Sequence, residues 1–306
     1  MKRVVSVSLG SSRRNHSAKI NLLGEEVLIE RIGTDGCFKK AINLIKELDG
    51  KVDAIGMGGI DQYIYAGKKR YEIKDAKKLA EAAKITPITD GSVLKNILER
   101  RSVFYMQDVL KMDLAKKKVL LVSGVDRYGM AEAFSQLGSQ VIFGDLLFSL
   151  GIPIPLKSLQ SLQRLAYLVA PFVTKLPFNI LYPLGEKQCQ PSRSKFKIFY
   201  EEADIIAGDY LYIRKYMPEF LPGKTILTNT VTAEDVEDLR RRGIARLITT
   251  TPHFNGRSFG TNVMEGLLIA FSNKPAERLT NHDYEQLLNK LNFQPWVQDF
   301  KQIMIS

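Results

Sequence analysis

Cysteine is almost missing from this chain. Its 306 residues include two, Cys37 and Cys189, which excludes a disulfide framework and points to a reducing, cytoplasmic setting. Histidine is nearly as rare. His16, His253 and His282 fall into no metal-ligand spacing, so no structural zinc cluster and no metal are expected. Long apolar runs are also lacking. The most apolar stretch, 166–184, is broken by Pro171, Lys175, Pro177 and Pro183, short of the roughly 20 uninterrupted apolar residues of a membrane span. It reads as a buried or lid-forming segment, and no membrane partner is expected. The start, MKRVVSVSLGSS, lacks the apolar centre and small-residue cleavage site of a secretory signal.

What the chain does have is a globular composition, 45% hydrophobic and 25% charged. Lys and Arg total 44 against 33 Asp and Glu, a net charge of +11, which favours a small anionic ligand or substrate. The basic runs Arg13-Arg14, Lys68-Lys69-Arg70, Lys116-Lys117-Lys118 and Arg240-Arg241-Arg242 carry no interleaved aromatics. They read as solvated turns and helix ends, not as a nucleic-acid face. The composition is compatible with a homo-oligomer.

The pattern divides the chain into a mixed α/β domain over 1–112, a parallel-sheet domain over 113–274 and a helical tail over 275–306. In the first, strands are expected at Val4–Leu9, Ala18–Leu22, Glu26–Ile32, Val52–Gly56 and Thr86–Thr89, and a hairpin around Gly67. Helices are expected at Phe38–Leu48, Ala76–Lys84 and from Ser92 to about Leu110. Beyond Lys116, strands apolar on both faces (Val119–Val122, Val141–Phe143, Asn179–Tyr182, Ile205–Ala207, Thr225–Leu227, Arg246–Thr250) alternate with helices. That is the signature of a doubly wound, Rossmann-like parallel sheet. Trp296 and Phe300 are the expected anchors of the tail.

The first of these strands runs into Ser123-Gly124-Val125-Asp126-Arg127-Tyr128-Gly129-Met130. A strand, a tight glycine turn and a helix start can hold a pyrophosphate on free amides and the helix dipole. The spacing is G-x-x-x-x-G, with Asp126 where G-x-G-x-x-G has its middle glycine, and Arg127 is placed to reach a phosphate. Asp145, 21 residues after Gly124 at the next strand end, is the expected ribose acceptor and favours NAD over NADP, or else it caps the following helix. Gly208, Asn229, Thr250, Thr251 and Pro252 lie on the carboxyl rim where ligands of such sheets bind. The loop that follows carries His253, Asn255, Arg257 and Ser258, a combination suited to a lid or an anion contact, with His253 a candidate base.

Thr89-Asp90-Gly91-Ser92 with Lys95 resembles the Asn-Thr-Asp-Gly segment of the shikimate/quinate dehydrogenase family, and Thr250-Thr251-Pro252 resembles its Asn-x-Thr-Pro. The chain as a whole is similar to a bacterial group labelled quinate 5-dehydrogenase. The resemblance implies an NAD-dependent oxidoreductase in which Asp90 pairs with a lysine to bind and deprotonate a substrate hydroxyl, with Ser92 and Lys95 beside it. No motif supplies that lysine. Lys68 and Lys69 of the hairpin turn are the candidates, and the family's Ser-x-Ser clamp has no clear counterpart. Two alternatives stay open: a transferase or lyase using a nucleotide-linked substrate, and a non-catalytic nucleotide or metabolite sensor.

Overall fold

The computed structural model describes residues 1–66, 69–173, 196–254, 257–272 and 274–300. Two α/β sheets organise the chain. The first comprises β1 (Lys2–Ser8), β2 (His16–Leu22), β3 (Glu25–Gly33), β4 (Ala54–Gly58) and β7 (Ile88–Thr89) in the order β2-β3-β1-β4-β7. Strands β3, β1, β4 and β7 run parallel, and β2 pairs antiparallel with β3. The β2–β3 turn places Leu23 and Gly24 at φ 54° and 83°, the two left-handed positions of a tight hairpin. A separate hairpin joins β5 (Tyr63–Ala66) to β6 (Lys69–Glu72).

Strand side chains alternate between faces, so both faces of β1 are apolar. Val5, Val7 and Leu9 face helices α1 (Phe38–Leu48) and α2 (Lys74–Ala80), together with Ile55 and Met57 of β4. Val4 points to the opposite core, with Ala18, Val27, Ile29 and Ala54.

The second sheet contains β8 (Lys118–Leu121), β9 (Gln140–Phe143), β10 (Ile205–Ala207), β11 (Thr225–Thr228), β12 (Arg246–Thr249) and β15 (Trp296–Asp299), ordered β15-β12-β11-β10-β8-β9. All but β15 are parallel. The chain moves outward from β8 to β9 and then returns to β10 on the other side of β8. This makes β8/β10 the topological switch point. Helices cover both faces. On one side α3 (Ser92–Asp108), α4 (Tyr128–Gln136) and α5 (Leu159–Val173) contribute to the core of Val119, Leu121, Ala207 and Leu227. On the other, α6 (Lys197–Glu202), α7 (Tyr210–Tyr216) and α8 (Ala233–Arg241) pack over Leu120, Ile206 and Ile226.

Two expectations change. Among its described residues the tail is helical in a 3-10 turn at Ala276–Arg278 and in α10 (Asn281–Lys290). Its end is the antiparallel strand β15, held to β12 by Arg246 and Asp299, whose Nη2–Oδ2 contact is 3.1 Å, and by Phe300 in the second core. Helix α9 (Thr261–Phe271), read as part of the second domain, leaves it and packs on the first sheet through Val263, Met264, Leu267 and Leu268. The strand expected at Asn179–Tyr182 lies outside the described residues.

Helix α3 ties the sheets together. Leu94, Ile97 and Leu98 belong to the first core, and Val103 and Met106 to the second. Gly91, at φ 84°, starts it. A Cβ on Gly91 would lie 2.3 Å from Asn262 N of α9, so the two connecting helices touch backbone to backbone there.

Candidate functional site

The site forms where the strand ends of the first sheet meet the switch point of the second. Its centre is Lys95, on the first turn of α3. Its ammonium donates to Asp61 Oδ2 at 2.9 Å and to Asp126 Oδ1 at 3.0 Å. Asp61 follows β4 through the Gly58-Gly59 bend, whereas Asp126 belongs to the turn after β8. One lysine thus joins the two sheets. Beneath it Arg127 is 7% exposed, with contacts to Asp126 at 3.2 Å and to Glu99 and Asp209, both at 3.3 Å. Glu99 is one turn beyond Lys95 on the same helix face, and its Oε2 accepts from Met130 N at 3.3 Å.

Two cations therefore face Asp61, Glu99, Asp126 and Asp209. Burial pushes the Asp61 carboxyl up to about 6 against the opposing pull of Lys95. Burial likewise raises Glu99 to about 7 despite Arg127. For Asp126 burial also works against ionisation, but Arg127 and Lys95 outweigh it and hold the carboxyl well below its usual range. Burial opposes the Lys95 charge too, yet Asp126 and Asp61 keep it protonated far above the ordinary lysine range. The arrangement is a charge-coupled acid–base relay in which Glu99 and Asp61 are the carboxyls raised toward neutrality, Asp61 being the more exposed at 27% against 2%.

Asp90 sits at the edge of this cluster. Its Oδ2 accepts from Gln62 N at 2.6 Å and its Oδ1 from Ser92 N at 3.0 Å. Among the described residues it has no ion pair. A lysine–aspartate pair is present nearby, built from Lys95 and Asp61. Lys69 has its backbone in β6, whereas its side chain and Lys68 lie outside the described residues. Ser92 is buried and meets Asp90 through its amide.

The glycine turn departs from its expected role. Asp145 does come to it, but both carboxylate oxygens are taken by the turn: Gly124 N donates to Oδ2 and Val125 N to Oδ1, each at 2.9 Å. Arg127 is committed to three carboxylates and is not directed to a phosphate. Gly129 serves helix packing, since a Cβ there would lie 2.7 Å from Asn96 O and 3.0 Å from Glu99 Cβ. Met130 is fully buried. Gly124 is closed from above by Leu162 of α5, 2.8 Å from a would-be Cβ. Farther along α5, Ala166 and Ala170 pack with Val125 and with Tyr71 of the β5–β6 hairpin. The described part of the apolar segment, up to 173, is a roof between the sheets, and 174–184 lies outside the described residues. With carboxylates on its amides and its arginine, the turn as it stands does not fit a dinucleotide pyrophosphate.

The remaining rim residues divide. Asn229 donates to Asp209 Oδ2 at 3.2 Å and so braces the cluster. Gly208, at φ 139°, would bring a Cβ 2.5 Å from Val122 Cγ2. Thr251 Oγ1 is spent on the carbonyls of Asn229 and Phe259. Thr250 Oγ1 and Ser123 Oγ are buried hydroxyls without a hydrogen-bond partner among the described residues. Pro252 is half-buried beside them in sequence. Ser258, expected at a lid, is 1% exposed and its Oγ accepts from Val231 N at 2.9 Å, so it pins the loop inward. His253 stacks on Trp296 with centroids 4.4 Å apart. It belongs to the β12/β15 edge, while Lys95 meets the β8 end, three to four strand spacings of ~4.8 Å away. His253 therefore does not join the relay. Asn255 and the side chain of Arg257 lie outside the described residues. Sequence reasoning missed Asp61 and Glu99. The i, i+4 pair Lys95/Glu99 was the available signal for the second.

Residues 93–300 match the family described as Domain of unknown function (DUF8754), more than half of the chain, and residues 3–90 match Domain of unknown function (DUF8753). The chain belongs to the DUF8754 family. No curated protein matches. Among solved structures, a galactofuranose binding protein is similar at 12% identity and TM-score 0.37, covering 95% of this chain and 99% of that one. The arabinose transporter binding protein of Shewanella sp. ANA-3 is similar at 9% and 0.37, covering 95% and 96%. The methylenetetrahydrofolate dehydrogenase-cyclohydrolase of Trypanosoma brucei, complexed with NADP, is similar at 9% and 0.33, covering 88% and 86%. Likeness at these scores carries no argument, and the α/β reading of this DUF8754 chain rests on its own sheets. Among the described residues no helix is long and apolar enough to cross a membrane, and no group of three or more His, Cys, Asp or Glu could hold a metal.

Proposed function

We propose that the site where the two sheets meet takes a small hydroxylated acid, and that Asp61 takes up and returns the proton of one of its hydroxyls while the Lys95 ammonium holds the oxygen. The observation that carries this reading is the Lys95 ammonium bonded to both Asp61 and Asp126, one from each sheet. Asp61, raised to about 6, is matched to proton transfer near neutral pH. Its side chain is 27% exposed, against 10% for Lys95, so it is the member of the pair that a ligand would reach. The +11 charge draws an anionic molecule toward the protein. Quinate and shikimate are the acids that the sequence resemblance suggests, and the two cysteines favour a cytoplasmic setting.

A second reading, an NAD-dependent dehydrogenase oxidising that hydroxyl, is favoured by the order of β8, glycine turn, α4 and Asp145 at the switch point. The carboxylates on the turn weigh against it. Calorimetric titration with quinate, shikimate and a panel of hydroxy acids and polyols tests the first reading. Binding of at least one of them, weakened about tenfold or more by both Asp61→Asn and Lys95→Met, is expected from the loss of a charge-assisted contact. A ligand whose affinity neither substitution changes would place the site elsewhere.

A further inference from the structure

We infer that Asp145 is the built-in occupant of an anion position in the second domain, keeping phosphate out of the β8–α4 turn until the carboxylate is removed. The geometry is that of an anion already bound. Gly124 N and Val125 N are successive amides of a tight turn, and each donates at 2.9 Å to a different oxygen of one carboxylate. Two oxygens of a phosphate would meet the same pair of donors. Asp145 is 8% exposed, and among the described residues it has no cationic partner, so the turn's amides are what hold its charge. Two further donors of this segment are engaged as well: Arg127 N bonds Ser123 O at 3.0 Å and Met130 N bonds Glu99.

The chain builds this closure locally. Gly144 precedes Asp145, and a Cβ on it would lie 2.5 Å from the Phe148 ring and 3.1 Å from Val122 O. The glycine lets the start of the 145–149 turn approach β8 closely enough for the carboxylate to reach the amides. The Asp126 side chain, 43% exposed, adds a second negative charge to the same turn. A phosphate entering beside Asp145, with about 4 Å between charges and an effective dielectric of about 20, would bind about a thousandfold more weakly per unit of its charge than at an uncharged turn. The spacing that marks Asp145 as a ribose acceptor therefore places it where it competes with the dinucleotide instead.

The inference rests on the turn, independently of whether the Asp61–Lys95 site takes a hydroxy acid, and its probes differ from those of that reading. The full chain, its Asp145→Asn form and its Asp145→Ser form are titrated calorimetrically with inorganic pyrophosphate and with NAD. Asp145→Asn is nearly isosteric and retains one amide acceptor, so it guards against loss of fold in the serine variant. The expected result is at least a tenfold gain in pyrophosphate affinity in either variant over the unsubstituted chain. Amide hydrogen exchange of the unsubstituted chain supplies a second measurement: Gly124 and Val125 are expected to be protected already, and unchanged by millimolar NAD. Three results would overturn the inference: NAD binding that Asp145→Asn weakens, no gain in pyrophosphate affinity in either folded variant, or protection of the two amides that appears only with NAD.

Discussion

Replacing Lys95 with methionine removes the ammonium and keeps most of the volume of its stem, so its cost reports on charge. Breaking a fully buried pair by deleting one partner costs about 3–5 kcal/mol, while exposed pairs contribute about 1 kcal/mol or less. Lys95 is 10% exposed, Asp61 27% and Asp126 43%. The intermediate burial of the aspartates places the expected loss at about 2–3 kcal/mol at pH 7.5. The loss should depend on pH in a definite direction. Asp61 already has a carboxyl raised to about 6 from 3.8, so the native state binds its proton more tightly than the unfolded chain. This contribution is full at low pH and is lost as pH rises through about 6. Without Lys95 the carboxyl rises further, and at pH 5.5 it takes up a proton that removes the uncompensated charge. Urea unfolding of both proteins at pH 5.5 and 7.5 is therefore expected to show the larger deficit at pH 7.5. Asp61→Asn in the Lys95→Met background should recover part of it. An equal deficit at both pH values, or none at 7.5, would show that Lys95 is a solvated surface charge and would refute the relay.

Three further substitutions test the frame around the site. Glu265 of α9 is 4% exposed, raised by burial to about 7, and accepts from Leu94 N at 3.2 Å and from the Tyr284 hydroxyl at 3.1 Å. Stability should thus fall from pH 6 to 8 as the buried carboxyl ionises, and Glu265→Gln should flatten that slope in thermal melts. Gly91→Ala sets a Cβ 2.3 Å from Asn262 N at a left-handed residue, so a loss above ~3 kcal/mol or failure to fold is expected in chemical unfolding. Thr232→Ala deletes the capping box formed with Asp235 at the start of α8, with an expected loss of about 1 kcal/mol by the same assay.

The second sheet could be read from the sequence because its strands are buried on both faces. Val119, Leu120, Leu121 and Val122 are all within 1% of full burial, and a continuous apolar run followed by a glycine turn has few other interpretations. Strand β15 could not be read in that way. Trp-Val-Gln-Asp is short and half polar, and it becomes a strand only because β12 offers an edge and Arg246 meets Asp299 across it. Helix α3 conceals its role for a related reason. It serves the first core at one end and the second at the other, so no single apolar stripe marks which of its polar residues face inward, and Glu99 passes for a surface charge.

The partners of Lys95 lie 34 and 31 residues away, and those of Leu94 and Glu265 are 171 residues apart. Periodicity cannot predict such contacts, because it reports which way a side chain faces and not what arrives opposite it. Asp145 sharpens the point, since its distance along the chain from Gly124 was legible and its position beside the turn followed. Its chemistry did not follow, because an acid at that position can offer its lone pairs to a ribose or to the turn's own amides. The first use makes the turn a dinucleotide site, and the second fills that site with the protein itself. What separates them is the closeness of approach that Gly144 allows and the charge that Asp126 adds, both of which depend on how β9 and the 145–149 turn pack against β8. A spacing rule therefore locates a functional carboxylate here and leaves the sign of its effect on phosphate to be settled by two backbone hydrogen bonds.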